Sequence, residues 1–310
     1  MSLLRSAVVG VGYLGRFHAQ KHKTSSQAQL IGVCDLRRDQ AEMVAAELGV
    51  RAFHRPEDLI GQVDCVTVAA STQSHYSLAK IFLQAGIPVN VEKPLAATVE
   101  QAEELVELAA KKNVLLTVGH IERFNPVLRS LKSFLGVPKF FHFVRHSPFR
   151  KRGSDVSVLH DLMIHDLDLL FWFTGATVVE FRAAGTRIIS NDIDVAEVFF
   201  TMSNGVQAHI SVSRFHPHVQ RSVRIVQSDG ALYADTANFQ VERWTPVSPD
   251  ADVPVRVEKF YPEKADALKI ETEAFFSAVR GEVAPAVTGE DGLHTLRWVQ
   301  KIGDRIRAES

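Results

Sequence analysis

A chain of 310 residues exceeds one typical core and suits two domains, and the cleft between two domains is where small-molecule sites tend to lie. Its 35 Lys and Arg against 36 Asp and Glu leave a net charge of −1, too little to build a field for nucleic acid or an anionic membrane surface. The start, MSLLRSAVVGVG, lacks the regions of a signal peptide and no stretch approaches the roughly 20 apolar residues of a membrane span. Cys34 and Cys65 read as reduced core thiols, so the expected setting is cytoplasmic, with neither nucleic acid nor membrane as partner.

Residues 5–122 alternate apolar runs with amphipathic stretches: SAVVG, a helix over 13–23, QLIGVCD, a helix over 38–48, DCVTVAA, a helix over 73–85, then IPVNVE. Thr98 and Gln101 make a capping-box pattern before a further helix, and VLLTVG at 114–119 reads as a closing strand. This alternation predicts an α/β domain, a doubly wound parallel sheet of the Rossmann type over 1–122. From about residue 138 the pattern shifts to strands with partial period-2 alternation: KFFHFVRH, VVEFRAAGTRI, VAEVFFTM, VQAHISVSRF, RSVRIVQSD, NFQVERW and VRVEKFY. Joined by turns such as SNG and SDG, they predict a large, mainly antiparallel open sheet in an α+β domain over 123–310. Helices are expected at 124–135, 158–173, 264–280 and 289–307, the last two packing back on the sheet or on the first domain. VAEVFFTM and VQAHISVSRF are apolar enough to predict a buried sheet face against a second copy, in a homodimer or homotetramer.

Gly10, Gly12 and Gly15 follow the first strand and open the first helix, with Tyr13 and Leu14 between them. Gly10 suits the tight turn, Gly12 the approach of a backbone to a pyrophosphate, and Gly15 close helix–strand packing. The helix N-terminus adds unpaired N–H groups and a partial positive charge for phosphate. Asp35 ends the second strand 20 residues beyond Gly15, where a carboxylate accepts from a ribose and repels a 2′-phosphate. That favours NAD, while Arg37 and Arg38 keep NADP open, the bland alternative being a solvated helix start.

After IPVNVE, Glu92-Lys93-Pro94 places a lysine at the carboxyl end of a parallel strand, facing the crevice where ligands bind. Asp161, His165 and Asp168 stand at i, i+4 and i+7 on one helical face, with Leu162, Leu169 and Phe173 left to pack. A histidine beside a carboxylate moves protons near neutral pH, as alcohol oxidation requires. Two other readings stay open: acids favoured by a helix start, or a metal held by His160, Asp161 and His165. The metal is ranked low because no cysteine or glutamate completes the set.

GVGYLG, ASTQSH with Ser71 and His75, VEKPLA, GHIERFNP at 119–126, DLMIHDLD and TGEDGL at 288–293 together resemble the glucose-fructose oxidoreductase / inositol dehydrogenase / rhizopine-catabolism (Gfo/Idh/MocA) family. The resemblance runs in order along nearly the whole chain. It implies hydride transfer between nicotinamide and a sugar or polyol carbon, with Lys93 orienting the substrate hydroxyl, His165 as acid/base and Asp161 as its partner. It implies cofactor contacts from Ser71, His75, Glu92 and Lys93, and substrate contacts from Arg123 and Asn125. His160 and Met163 depart from the small residues common there, and Asp166 adds a second acid.

GHIERFNP with HDLMIHDLDL is similar to the branch of UDP-N-acetylglucosamine 3-dehydrogenases, which implies a nucleotide sugar oxidised at its 3-hydroxyl. The loop before the His165 helix carries Arg145, Arg150, Lys151 and Arg152, and arginine forks suit a diphosphate, although a solvated basic loop is the ordinary alternative. A dehydrogenase of a simple sugar or polyol, a reductase of a non-sugar carbonyl or imine, and a dinucleotide-binding regulator without turnover remain as alternatives.

Overall fold

The computed structural model describes residues 2–150 and 156–309; the expected phosphate ligands Lys151 and Arg152 lie outside the described residues. By internal contacts the chain forms two compact units. One holds the residues up to Ile121 together with Asp266–Leu296; the other holds Glu122–Ala265 and the chain from Arg297 onward. No described helix is long and apolar enough to cross a membrane.

In the first unit, β1 (Leu4–Val9), α1 (Tyr13–Thr24), β2 (Ala28–Cys34), α2 (Arg38–Leu48), β3 (Arg51–Phe53), β4 (Cys65–Val68), α3 (Thr72–Gln84), β5 (Val89–Glu92), α4 (Val99–Lys112) and β6 (Leu116–Gly119) follow one another. All six strands pair in parallel in the order β3-β2-β1-β4-β5-β6. Every residue of β4, β5 and β6 is buried, as expected of parallel strands covered by helices on both faces, and the polar Thr67, Asn90, Glu92 and Thr117 interrupt their apolar runs. Strand order reverses between β1 and β4, the switch point outside which open α/β sheets bind ligands. Thr98 caps α4 by accepting from the Gln101 N–H at 3.3 Å, and Asn113 ends it in the left-handed region at φ 51°. The three-residue β3 is too short to register as a periodic run in the sequence.

The second unit contains α5 (Pro126–Ser133), β7 (Pro138–His146), α6 (Ile164–Thr174) and strands β8 (Val178–Thr186), β9 (Val195–Met202), β10 (Gln207–Ser213), β11 (Gln220–Gln227), β12 (Gly230–Asp235), β13 (Gln240–Pro246) and β14 (Val255–Phe260). They form one sheet in the order β14-β13-β12-β11-β7-β10-β9-β8. Pairing is antiparallel except between β7 and β10, which run parallel. That pair follows from the long crossover through α6, which returns the β8-β9-β10 meander to the side of β7. The sequence also passed over β12, whose ALYAD run completes the hairpin begun at the SDG turn.

The last helices divide between the units. α7 (Ala267–Val279) belongs to the first, where Phe275 and Phe276 pack with Ala28 and Cys65 in one cluster. α8 (Gly289–Glu309) contributes residues to both. Residues 266–296 therefore leave the block 123–310 that the sequence groups as one domain.

One face of the large sheet carries the core of the second unit: Phe141, Phe143, Phe200 and Ile210 pack with Leu170 and Phe173 of α6 and with Trp298 and Ile302 of α8. The other face departs from the apolar surface expected for a partner copy. Alternation along β7, β9 and β10 turns Val198 and Phe200 inward and leaves His142, His146, Glu197, Phe199 and His209 outward. Phe199 stacks on His209 at 4.1 Å, His209 on His142 at 4.9 Å, and His209 Nε2 meets Glu197 at 2.7 Å. Helices α6 and α8 account for the apolar half of these strands.

Candidate active site

The glycine turn is built as the sequence requires. Gly10 adopts φ +81°, and a Cβ there would meet the Ala70 backbone at 2.4 Å. A Cβ on Gly15 would sit 1.8 Å from the Gly10 carbonyl, so only glycine lets α1 lie this close to the end of β1. At Gly12 the reverse holds: a Cβ would meet nothing within 4 Å, and Gly12 caps α1 without a side-chain hydrogen bond. The helix thus opens onto space at its N-terminus with no cap of its own, the arrangement a pyrophosphate fits. Tyr13 is exposed and Leu14 half-buried beside this opening.

Asp35 stands at the end of β2, half-buried. One oxygen accepts from the Val11 N–H of the glycine turn at 2.9 Å and the other from the Arg37 N–H at 3.0 Å. The carboxylate is held in place with lone pairs remaining for a ribose diol. The Arg37 guanidinium donates to Gln40 at 2.7 Å, and Gln40 donates to the Val11 carbonyl. Arg37 is thereby folded along its own helix start, as the bland reading of that arginine had it.

His75 ties two loops together. It is buried, with Nδ1 2.8 Å from the Pro94 carbonyl and Nε2 3.1 Å from the Ala70 carbonyl. Ser71, exposed at the start of α3, pairs its hydroxyl with that of Ser74. The Lys93–Pro94 bond is cis, and Lys93 is half-buried at the mouth of β5. Its backbone N–H donates to Glu92 at 3.1 Å, and the other Glu92 oxygen meets His18 at 2.7 Å. Burial, the largest influence, opposes ionising either group, but their mutual hydrogen bond and the surrounding charges together outweigh it: Glu92 is held below its ordinary range and His18 above its own. His18 was not foreseen; its position three residues past Gly15, on the buried face of α1, was the available signal.

In the second unit the expected helix over 158–173 begins differently. Leu159–Met163 form a π-helical turn, and α6 starts only at Ile164, so Asp161 and His165 do not share a regular α-helical face. Both remain half-buried, while Met163, Ile164 and Leu167 go to the core. Asp168 parts from them altogether. It is 1% exposed and takes Arg123 in a two-pronged pair at 2.7 and 2.8 Å. The Arg123 fork is thus directed at an internal carboxylate rather than at a substrate. Asn125 works as the N-cap of α5, accepting from Val127 N–H and donating to Glu122.

Arg145 is likewise internal. Its guanidinium forks onto Asp166 at 2.8 to 3.1 Å and reaches Glu122 at 2.8 Å. Burial raises Asp166, whereas in Glu122 burial, the largest influence, is outweighed by the charge and hydrogen bond of Arg145 together with Asn125 and Arg221, and the acid is held low. Arg150 is exposed, and Arg221, which the sequence did not single out, lies opposite Arg145 in the β7–β11 pair and shares its face. Burial, then the neighbouring charges of Arg145 and Arg150, lower its affinity for its proton against the opposing pull of Glu122 and Asp166. His160, considered as a metal ligand, places Nδ1 2.9 Å from the Ser157 hydroxyl. Among the described residues, the His/Asp/Glu set that converges is His18, Glu92 and Glu271.

Residues 4–120 match the family model of the oxidoreductase family with an NAD-binding Rossmann fold, and 132–233 match the GFO/IDH/MocA C-terminal domain. A UDP-N-acetylglucosamine 3-dehydrogenase of Acidithiobacillus ferrooxidans is 37% identical over 98% of both chains. Its solved structure superposes with a TM-score of 0.92 over 99% of each chain. A myo-inositol 2-dehydrogenase of Thermotoga maritima is 29% identical over 94% of this chain and 93% of its own.

Asp35→Ala is expected to weaken binding of NAD more than of NADP, because it removes a ribose acceptor and a charge that repels a 2′-phosphate. Titration of both dinucleotides checks this; equal, unchanged affinities would exclude Asp35 from the cofactor site.

Proposed function

Because this chain belongs to the Gfo/Idh/MocA family of oxidoreductases, with its NAD-binding Rossmann fold, we propose that it oxidises a secondary alcohol of a nucleotide sugar, with UDP-N-acetylglucosamine as substrate and its 3-hydroxyl as the reacting group. The observation that carries this reading is the end-to-end likeness to a dehydrogenase of that sugar nucleotide. NAD is the cofactor, and when bound its nicotinamide supplies the hydride acceptor.

The chain's own residues have the following parts. Gly10, Gly12 and Gly15 admit the pyrophosphate to the uncapped start of α1, and Asp35 receives the ribose. Lys93 orients the substrate hydroxyl. His165 takes its proton as the neighbouring C–H gives up hydride, and Asp161 orients the imidazole or stabilises its charged form. Arg123, Asn125 and Arg145 act on the substrate only indirectly, by fixing the elements around the π-helical turn. Arg221 and Arg150 are the cations better suited to a diphosphate. The buried thiols Cys34 and Cys65, each pushed up to about 12 by burial first of all, suit the reducing cytoplasm proposed as its setting.

The proposal extends to assembly as a homodimer or homotetramer through the outer face of the large sheet, a largely polar face on which Phe199, 52% exposed, stacks on His209. Sedimentation at micromolar concentration should show oligomers; monomer alone would contradict this part.

Incubation with NAD and a panel of UDP-sugars, simple sugars and polyols should reduce nicotinamide fastest with UDP-N-acetylglucosamine. Preference for a free polyol would overturn the substrate. His165→Ala and Lys93→Ala should each lower kcat by ~10²–10⁴-fold with NAD affinity nearly intact. Near-normal turnover in His165→Ala would move the proton transfer to Lys93 or Asp161.

A further inference from the structure

Beneath Lys93 lies a buried acid that the mechanism above does not use. Glu271, on α7, is 3% exposed in the core of the first unit. One of its oxygens receives the Asn90 amide at a long 3.4 Å, and the other has no hydrogen-bond partner. One ligand atom each from Glu271, Glu92 and His18 lie within 4.8 Å of one another. Two carboxylates and one imidazolium in so dry a place would carry an unbalanced negative charge, which is costly. His18 Nε2 and Glu92 Oε1 are 2.7 Å apart, a hydrogen-bond separation and nearer than the about 3.3 Å between two ligand atoms at tetrahedral zinc distances, so this pair is closed on itself rather than spread around an ion. A proton resolves the imbalance, because a neutral Glu271 leaves one imidazolium facing one carboxylate.

We infer that Glu271 is a positioning residue: kept as a neutral carboxylic acid, it lets His18 and Glu92 close as a single ion pair, and that pair fixes the backbone at Lys93. The inference rests on the part given to Lys93 under the proposed function. Glu92 is the link, since one oxygen takes the His18 proton and the other takes the Lys93 N–H. An ionised Glu271 competes with Glu92 for the same imidazolium and loosens the turn.

The surroundings agree. From α1 the facing groups are His18 and His22, the latter driven down to about 3 by burial and then by the charge of His18. His22 is therefore neutral and accepts no part of the balancing charge. From β5 and its end come Glu92, Asn90 and Lys93, and from α3 His75, whose charge bears on Glu92. From β6 come Thr117, which donates to Asn90 at 2.8 Å, and Gly119, where a Cβ would meet the Glu92 carboxylate at 3.1 Å. Burial, then the charge of Glu92, pushes the Glu271 carboxyl from its ordinary 4.5 up to about 8.

The sign of the pH effect follows. The folded chain holds a proton on Glu271 that the unfolded chain has released, so stability falls as pH rises from about 4.5 to about 8 and is level beyond. The Glu271→Gln substitution keeps the shape and the neutrality but cannot ionise. In thermal unfolding of the full chain, the Tm of E271Q minus that of the wild type should widen across this window; a constant difference overturns the acid form. On the substrate that the panel assay identifies, the ratio of kcat for E271Q to wild type should rise about tenfold between about pH 7 and about pH 9, as the acid fraction falls. A constant ratio overturns the positioning role. In the wild-type protein alone, infrared spectroscopy should show a carboxylic-acid C=O band near neutral pH that is lost by about pH 9.5; its absence overturns the acid form whether or not E271Q folds. Normal turnover in Lys93→Ala would strike the role of Lys93 and leave the unfolding and infrared results standing, so the two failures are separable.

Discussion

A carboxylate with almost no access to water must find a cation or a proton, and Glu92 finds His18 at 2.7 Å. That contact joins the first helix of the chain to the mouth of its fifth strand. It brings the two parts of the cofactor half together, because His18 lies on the helix that the glycine turn opens and Glu92 is followed at once by Lys93. His75 adds a second tie, from the start of α3 to the Pro94 carbonyl. The loops that follow β1, β4 and β5 are thus bound to one another by buried polar contacts rather than left to move separately, as a site that must aim a side chain requires.

The second unit solves the same problem with arginine. Arg145 neutralises Glu122 and Asp166, and Arg123 neutralises Asp168, so the turn at Ile121–Phe124, β7 and α6 are braced together beside the π-helical turn that carries Asp161 and leads to His165. Removing one member of such a set costs more than the pair contributes, since a buried charge is left behind. From the sequence Arg145 reads as a phosphate ligand, and the family resemblance makes Arg123 a substrate contact. Their carboxylate partners lie 21 to 45 residues away, and no local pattern reveals which guanidinium turns inward.

What was legible in the sequence was what local physics decides. Each glycine of the turn meets a requirement set within one strand–turn–helix unit, and Asp35 follows at the spacing that the strand dictates. Period and capping placed most helices to within a few residues, and alternation marked the long strands. The three-residue β3 lacked enough residues to show a period, β12 was absorbed into the connection after the SDG turn, and the parallel β7–β10 pair depends on a crossover that periodicity does not encode. The π-helical turn has no evident sequence signature here. Glu271 was hidden because its hydrogen-bond partner Asn90 is 181 residues distant and His18 is farther still, yet one clue existed: it stands on the apolar stripe of α7 between Leu268 and Phe275, where an acid needs a buried partner.

Both units therefore hold buried, charge-balanced clusters next to the residues proposed to act on the substrate, and the proposed reaction removes a hydride from one carbon of a sugar. The most direct measurement is to supply NAD with UDP-N-acetylglucosamine deuterated at C3 and to read the nicotinamide product by mass spectrometry. One deuterium should appear in NADH, with slower turnover than for the unlabelled sugar. Unlabelled NADH formed during turnover, or no nicotinamide reduction at all, would contradict 3-hydroxyl oxidation.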